Sequence, residues 1–415
     1  MNACRWLVVA GLLLLAAGGC SDNPTKPISG VPLSSITIAP TSDTLFVGQQ
    51  STFTVTAYDT TNTLVTNPVI HWSSSNTQVA TVSTFAGSAV VHGVGEGSAF
   101  VIAASGSVAD TAVVLVVSAQ TGWFRQTSST SFQLNDVYFL ADGTTGWAVG
   151  EGGTIMKSTN AGYAWTREVS NTSSSLNGVW FTSTTEGWAV GASGTVLHTT
   201  DAGTTWTRIS PNPAASSFND VVFTDHNHGW AVGTGGAIVR TTDAGVTWTR
   251  VFPTSYALRS VAMNGGGSGW AVGDNGTIVG THDAGATWFV VVPAVTSTAL
   301  HAVRFRDANH ANAAGDAGLT PRTVATPDSI AWEIDNAGAG YQLEGQWFSS
   351  PATGWAVGYN GTGAIVRTDD GGISWAPQVS NSQYRLKSVF FIDPFRGWAV
   401  GTTGTVLHTT TGGIE

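Results

Sequence analysis

The sequence predicts an all-β protein in which a β-sandwich precedes a seven-bladed β-propeller. The pentapeptide GWAVG begins at Gly146, Gly187, Gly229, Gly269, Gly354 and Gly397, at spacings of 41, 42, 40, 85 and 43 residues. The long interval holds a worn copy, Ala311 to Gly315, so the array counts seven units. A period of this length with short apolar runs and Gly-rich turns fits a four-stranded blade, whereas a helical repeat would space its apolar residues by three and four. Upstream of the array, Thr52 to Ala57 alternates polar and apolar side chains, as a strand with one buried face does.

Composition narrows the function classes. The 415 residues carry 16 Lys plus Arg against 26 Asp plus Glu, a formal charge of −10, which argues against nucleic acid as a partner. Cys4 and Cys20 are the two cysteines, and Cys4 would leave with a signal peptide, so the mature chain is expected to hold itself together by packing rather than by disulfides.

The first residues read as a bacterial export signal. Arg5 supplies the positive end and Leu7 to Ala17 an apolar run too short for a convincing membrane span. Ala17, Gly18 and Gly19 then precede Cys20, which resembles a lipobox, with Ala17 where Leu is commoner. The resemblance implies removal of a signal peptide over 1–20, acylation of Cys20, membrane attachment through that lipid, and residence in the bacterial cell envelope, at the outer membrane or the cell surface. Residues 21–32, with Pro24, Pro27 and Pro32, suit an extended linker.

Residues 33–118 form the expected sandwich. The segments VGQQSTFTVTAYD, IHWSSSN, VATVS and GVGEGSAFVIAAS resemble the bacterial Ig-like domain (group 2). That resemblance implies a small Ig-like sandwich of the kind used as a spacer or adhesion module. Trp72 is expected to fill the space between the two sheets, and His71 and His92 to be structural.

Residues 119–415 form the expected propeller. Each unit opens with a strand such as Leu176 to Phe181, passes through GWAVG to a third strand such as Thr195 to His198, then turns and runs out through a fourth. The turn Thr199 to Gly203, followed by Trp206, resembles the Asp-box, with copies centred on Asn160, Asp201, Asp243, Asp283 and Asp370. A carboxylate there can accept hydrogen bonds from its own turn, so these acids read as turn locks rather than as catalysts or metal ligands. The recurring Trp residues read as blade packing. Arg125, Arg167, Arg208 and Arg250, two places after the box Trp or its counterpart, read as protection of outer strands. The last unit stops at Glu415 before any Trp, while Gly122, Trp123, Phe124 and Arg125 match the missing piece, so the 121–127 strand is expected to close the ring.

Seven GWAVG blades with Asp-box turns resemble the photosystem II stability and assembly factor family. The resemblance implies a non-enzymatic propeller that holds a partner protein, in part through basic residues on one face. Three residues before each box acid stand Lys157, His198, Arg240, Gly280, Arg322, Arg367 and His408, a predicted circlet of cationic groups and the candidate partner-binding site. The alternative is that these cations pair with neighbouring acids or are solvated, where an exposed pair contributes only about 0–1 kcal/mol. No catalytic residue, metal ligand or cofactor is assigned. The expected partner is a protein or a surface glycan, and the expected state a monomer. The competing function is a carbohydrate-binding or sialidase-like glycoside hydrolase, which needs an arginine trio and a Tyr paired with a Glu. His301, His310, Asp316, Asp328, Glu333 and Asp335 gather in the irregular fifth unit, where a special function could enter.

Overall fold

A computed structural model describes residues 32–85, 87–117, 121–209, 216–292, 294–325 and 330–415. The expected signal peptide, the expected lipid-attachment residue Cys20 and residues 21–31 of the expected linker lie outside the described residues. The chain divides after residue 118 into two compact units, and the nine sheets among the described residues are each four-stranded.

Two sheets build the first unit. One pairs Leu33–Ala39, Gln50–Asp59, Ser88–Gly93 and Ala80–Phe85; the other pairs Ser42–Phe46, Val108–Val117, Gly97–Ser105 and His71–Ser74, with the first two of these parallel. Alternation of apolar and polar residues puts Ile38, Phe53, Ala57, Val91, Val101 and Val114 into one core between them. Phe53, wholly buried, is the aromatic ring at its centre. Trp72 is only partly buried against that core, which corrects its expected place: its short strand, His71–Ser74, pairs on one side only and lies at the sheet edge.

Seven antiparallel sheets build the second unit. In six of them the strands are used in sequence order. The first strands of successive blades touch one another around the ring, so they are innermost and line the central channel. Blade seven is composite: Leu386–Phe391, Gly397–Gly401 and Val406–Thr409 are completed by Phe124–Gln126, with His408 opposite Phe124. Trp123 then occupies the box Trp position of this blade, with its edge against Phe391 at 5.6 Å.

One aromatic motif seals the blades. At four seams the GWAVG Trp lies flat on the Phe that ends the next blade's inner strand: Trp147 on Phe181 at 3.6 Å, Trp188 on Phe223 at 3.9 Å, Trp355 on Phe391 at 3.5 Å and Trp398 on Phe139 at 3.6 Å. The box Trp of the receiving blade meets the same Phe edge-on, as Trp206 does at 6.0 Å. The flat and edge-on geometries are those favoured by the ring quadrupole. The indole N–H adds a polar tie: Trp147 Nε1 donates to the Ala202 carbonyl in the next blade's Asp-box turn at 3.2 Å. Gly203 beside it has φ +83°, and a Cβ there would stand 2.7 Å from that indole nitrogen, so glycine is required on both counts.

The box acids lock their turns. Asp201 accepts hydrogen bonds from the Thr205 backbone at 2.8 Å, the Thr205 hydroxyl at 2.6 Å and the Thr199 hydroxyl at 2.8 Å. These bonds, with Thr205 the largest contributor, hold its carboxyl down at about 2. Asp243, Asp283 and Asp370 repeat the arrangement with Thr247, Thr287 and Ser374.

Candidate functional site

The predicted circlet sits directly opposite the sealing indoles. Lys157, His198, Arg240, Arg322, Arg367 and His408 pair across the second and third strands with Trp147, Trp188, Trp230, Asn312, Trp355 and Trp398. Cross-strand partners share a sheet face, so these side chains cover the ring surface left bare by the Phe stack. His198 stacks on Trp188 at 4.7 Å, Lys157 lies over Trp147 at 5.8 Å and Arg367 over Trp355 at 5.5 Å. Several are also paired: His198 with Glu186, Arg322 with Glu333 and Asp335, and Arg367 with Asp369. His408 departs from the expected exposed ring of cations. It is 2% exposed, packed between Trp398 and Phe124, and burial followed by the nearby Arg396 depresses its pKa to about 3, so it is a neutral core residue.

The fifth-unit residues do not converge. His301 meets Asp316 at the start of the inner strand, His310 meets Asp307 at the opposite end of the blade, and Glu333 and Asp335 clamp Arg322 on the outer side; Asp328 lies outside the described residues. Asn312, which replaces the sealing Trp, keeps its polar tie through Nδ2 to the Gly371 carbonyl at 3.0 Å. No group of three or more acidic, His or Cys side chains suited to a metal occurs among the described residues, and no hydrogen bond joins a Tyr to a Glu there.

Departure from the repeat concentrates at the channel mouth, where the inner strands begin. The residue after the first buried Leu or Phe of each inner strand is Asn135, Asn177 and Asn219 in blades one to three, and Arg259, His301, Glu344 and Lys387 in blades four to seven. The three asparagines are structural: each donates through Nδ2 to the carbonyl that opens the next inner strand, at 2.7–2.8 Å. The four ionisable residues form ion pairs at this rim, Arg259 with Asp274, His301 with Asp316, and Lys387 together with Arg385 on Glu344.

Below the rim lies a cavity of about 70 Å³. Its next layer is Asp136, Asp220, Ser260 and Ser388, with Arg304 and Gln346. Asp220 accepts from the Ser260 hydroxyl at 2.8 Å and the Val261 N–H at 3.0 Å, and pairs with Arg304 at 3.4 Å. Asp136 accepts from the Ser388 hydroxyl at 2.7 Å and the Val179 N–H at 2.9 Å. Burial, then the neighbouring Asp220, pushes the Asp136 carboxyl up to about 6. Two residues further along the strands, Tyr138, Trp180, Phe390 and Trp347 form a chain of ring contacts of 4.3–5.3 Å. Sequence reading missed this constellation because it comes from six separate blades; the signal was the column of inner-strand residues that fail to repeat.

The family model described as photosynthesis system II assembly factor YCF48 matches residues 116–213, 211–318 and 324–415. The chain belongs to that family. The bacterial Ig-like domain (group 2) model matches residues 32–116, in register with the sandwich. Among solved structures the chain is similar to YCF48 bound to a D1 peptide, at 24% identity and TM-score 0.59, over 70% of this chain and 96% of that one. It is similar to YCF48 from Cyanidioschyzon merolae at 23% identity and TM-score 0.58, over 69% and 98% of the two chains. Virginiamycin B lyase from Staphylococcus aureus shares the fold at 13% identity and TM-score 0.59, over 70% and 99%. No curated protein matches the chain.

Proposed function

We propose that this is a non-enzymatic, lipid-anchored protein of the bacterial cell envelope, in which the propeller binds a protein partner at the channel mouth. The observation that carries the binding site is the inner-strand column Asn, Asn, Asn, Arg, His, Glu, Lys. Asparagine suffices to tie blades together, so the four ionisable residues are not needed for closure, and they lie side by side on one half of the rim. A mixed-charge rim of this kind selects a partner by charge pattern more than by bulk affinity. A solved YCF48 is titled as bound to a D1 peptide, which supports protein as the ligand class. The circlet opposite the sealing indoles is the less favoured surface, because Lys157, His198, Arg322 and Arg367 already cover rings or pair with acids.

Lipid attachment at Cys20 and residence in the envelope rest on the lipobox resemblance. Metabolic labelling with an alkynyl fatty acid should mark the wild-type chain and leave Cys20→Ser unmarked; equal labelling would refute the anchor. For the mouth, a photo-crosslinking amino acid at Arg259 should yield a discrete adduct in envelope preparations, and one at the exposed Val169, just past the outer strand Thr166–Glu168, should not. The Arg385→Ala/Lys387→Ala background should lose that adduct. An adduct indifferent to these changes would move the site elsewhere.

A further inference from the structure

Three residues after the first buried Leu or Phe of the inner strand stand Val137, Val179, Val221, Val261, Val303 and Val389 in six blades, and Gln346 in blade six. Gln346 is 2% exposed, and neither its Oε1 nor its Nε2 has a partner. Burying an amide unpaired costs about 1–3 kcal/mol, and valine fills the equivalent place in every other blade. Gln346 lines the same channel cavity as Asp136.

Charge in the cavity does not balance. Arg304 pairs with Asp220, whereas the two partners of Asp136 are a hydroxyl and a backbone N–H, both neutral. The ionisable rim groups that line the cavity are engaged in their own pairs: Arg259 with Asp274, His301 with Asp316 and Lys387 with Glu344. Asp136 thus has no ion-pair partner of its own, only the more distant pull of Arg304, and the same cavity is lined by Gln346, whose amide oxygen lacks a donor.

We propose that the channel cavity binds a primary ammonium group, with the Asp136 carboxylate and Gln346 Oε1 as its acceptors. An ammonium head offers three N–H donors, no acceptor and one positive charge, which is what these two groups lack. Its positive charge also offsets the Asp220 repulsion acting on Asp136. A space of about 70 Å³ is enough for a slim alkylammonium head. The same chemistry comes from two sources, a free small amine or the side chain of a lysine. The second source rests on the protein-binding reading above; the first does not.

The test titrates methylammonium chloride into the full chain and follows the thermal midpoint, with tetramethylammonium, which has no N–H, as the matched-salt control. The wild type should show a dose-dependent rise with methylammonium alone. Asp136→Asn should lose the rise. Gln346→Val, which installs the repeat's own residue and so preserves packing, should blunt it. The rise should fade below about pH 6 as Asp136 takes up a proton, in a cavity whose other charged groups are Asp220, Arg304 and the paired rim residues. Nα-acetyl-lysine-N-methylamide forms the second arm. A rise with both ligands supports entry of a lysine side chain, and a rise with methylammonium alone supports a free amine and removes lysine. No rise, an equal rise with tetramethylammonium, or an undiminished rise in Asp136→Asn overturns the proposal, whatever the crosslinking at the rim shows.

Discussion

Trp398 lies flat on Phe139 at 3.6 Å with the two rings 10° apart, across the seam where the last blade meets the first. The same indole donates to the Ala161 carbonyl at 2.8 Å and carries His408 on its other face at 4.9 Å. A contact between the two ends of the propeller is therefore built from the same parts as the seams of Trp147, Trp188 and Trp355, and the ring closes without an unpaired flank.

Trp398→Ala should destabilise the propeller by about 3–5 kcal/mol, the usual range for emptying a large buried aromatic site. Trp147→Ala, at an interior seam with the same geometry, should cost a similar amount. Chemical denaturation followed by tryptophan fluorescence checks both. A loss under about 1 kcal/mol at either seam would mean that the stack is not what holds adjacent blades.

Deleting Thr121 to Thr127 removes Phe124–Gln126 from blade seven and Trp123 from the face of Phe391. The melting temperature of the whole propeller should fall, because the outer strand and the edge-on ring of that blade go together. Removing residues 33–118 should leave propeller melting largely intact. Calorimetry of the two deletions against the parent distinguishes them, and equal melting of the first deletion and the parent would refute the clasp.

His408 predicts an acid weakness. Its pKa is about 6.5 in the unfolded chain and about 3 when folded, so the unfolded state binds the proton more tightly. Stability is whole above pH 6.5 and is lost as pH falls from there towards 3, with a limiting slope of about 1.4 kcal/mol per pH unit from this one group. In His408→Phe, which keeps an aromatic ring against Trp398, the acid limb of stability against pH should be shallower. An unchanged slope would show that carboxylates alone set it.

Asp136 acts with the opposite sign. Its folded pKa, about 6, lies above the ordinary 3.8, so the stability it contributes is full below the lower value and is lost as pH rises through the higher. In amine-free buffer, Asp136→Asn should therefore melt higher than the wild type at pH 7.5, with the difference closing towards pH 4. A variant that melts lower at pH 7.5 would show that the Ser388 and Val179 hydrogen bonds outweigh the cost of the buried charge.

Seven units, the four-stranded blade and the Asp-box locks were legible because local spacing writes them: a pentapeptide fixes the second strand, and a Thr-x-Asp turn fixes the exit from the third. The circlet shows the limit of that reading. Alignment placed Lys157, His198, Arg240, Arg322, Arg367 and His408 at one position, but spacing along a strand does not say what covers a side chain, and the sheet register set them against indoles.

The sequence by itself determined the number of blades, the sandwich ahead of them and the completion of the last blade by the first strand, since each follows from a periodic pattern or from a fragment missing at one end and present at the other. Tertiary structure alone decided that Asp136, Asp220, Ser260, Arg304, Gln346 and Ser388 share one cavity. They lie up to 252 positions apart in the chain and meet only because closure of the ring brings seven inner strands around a common axis.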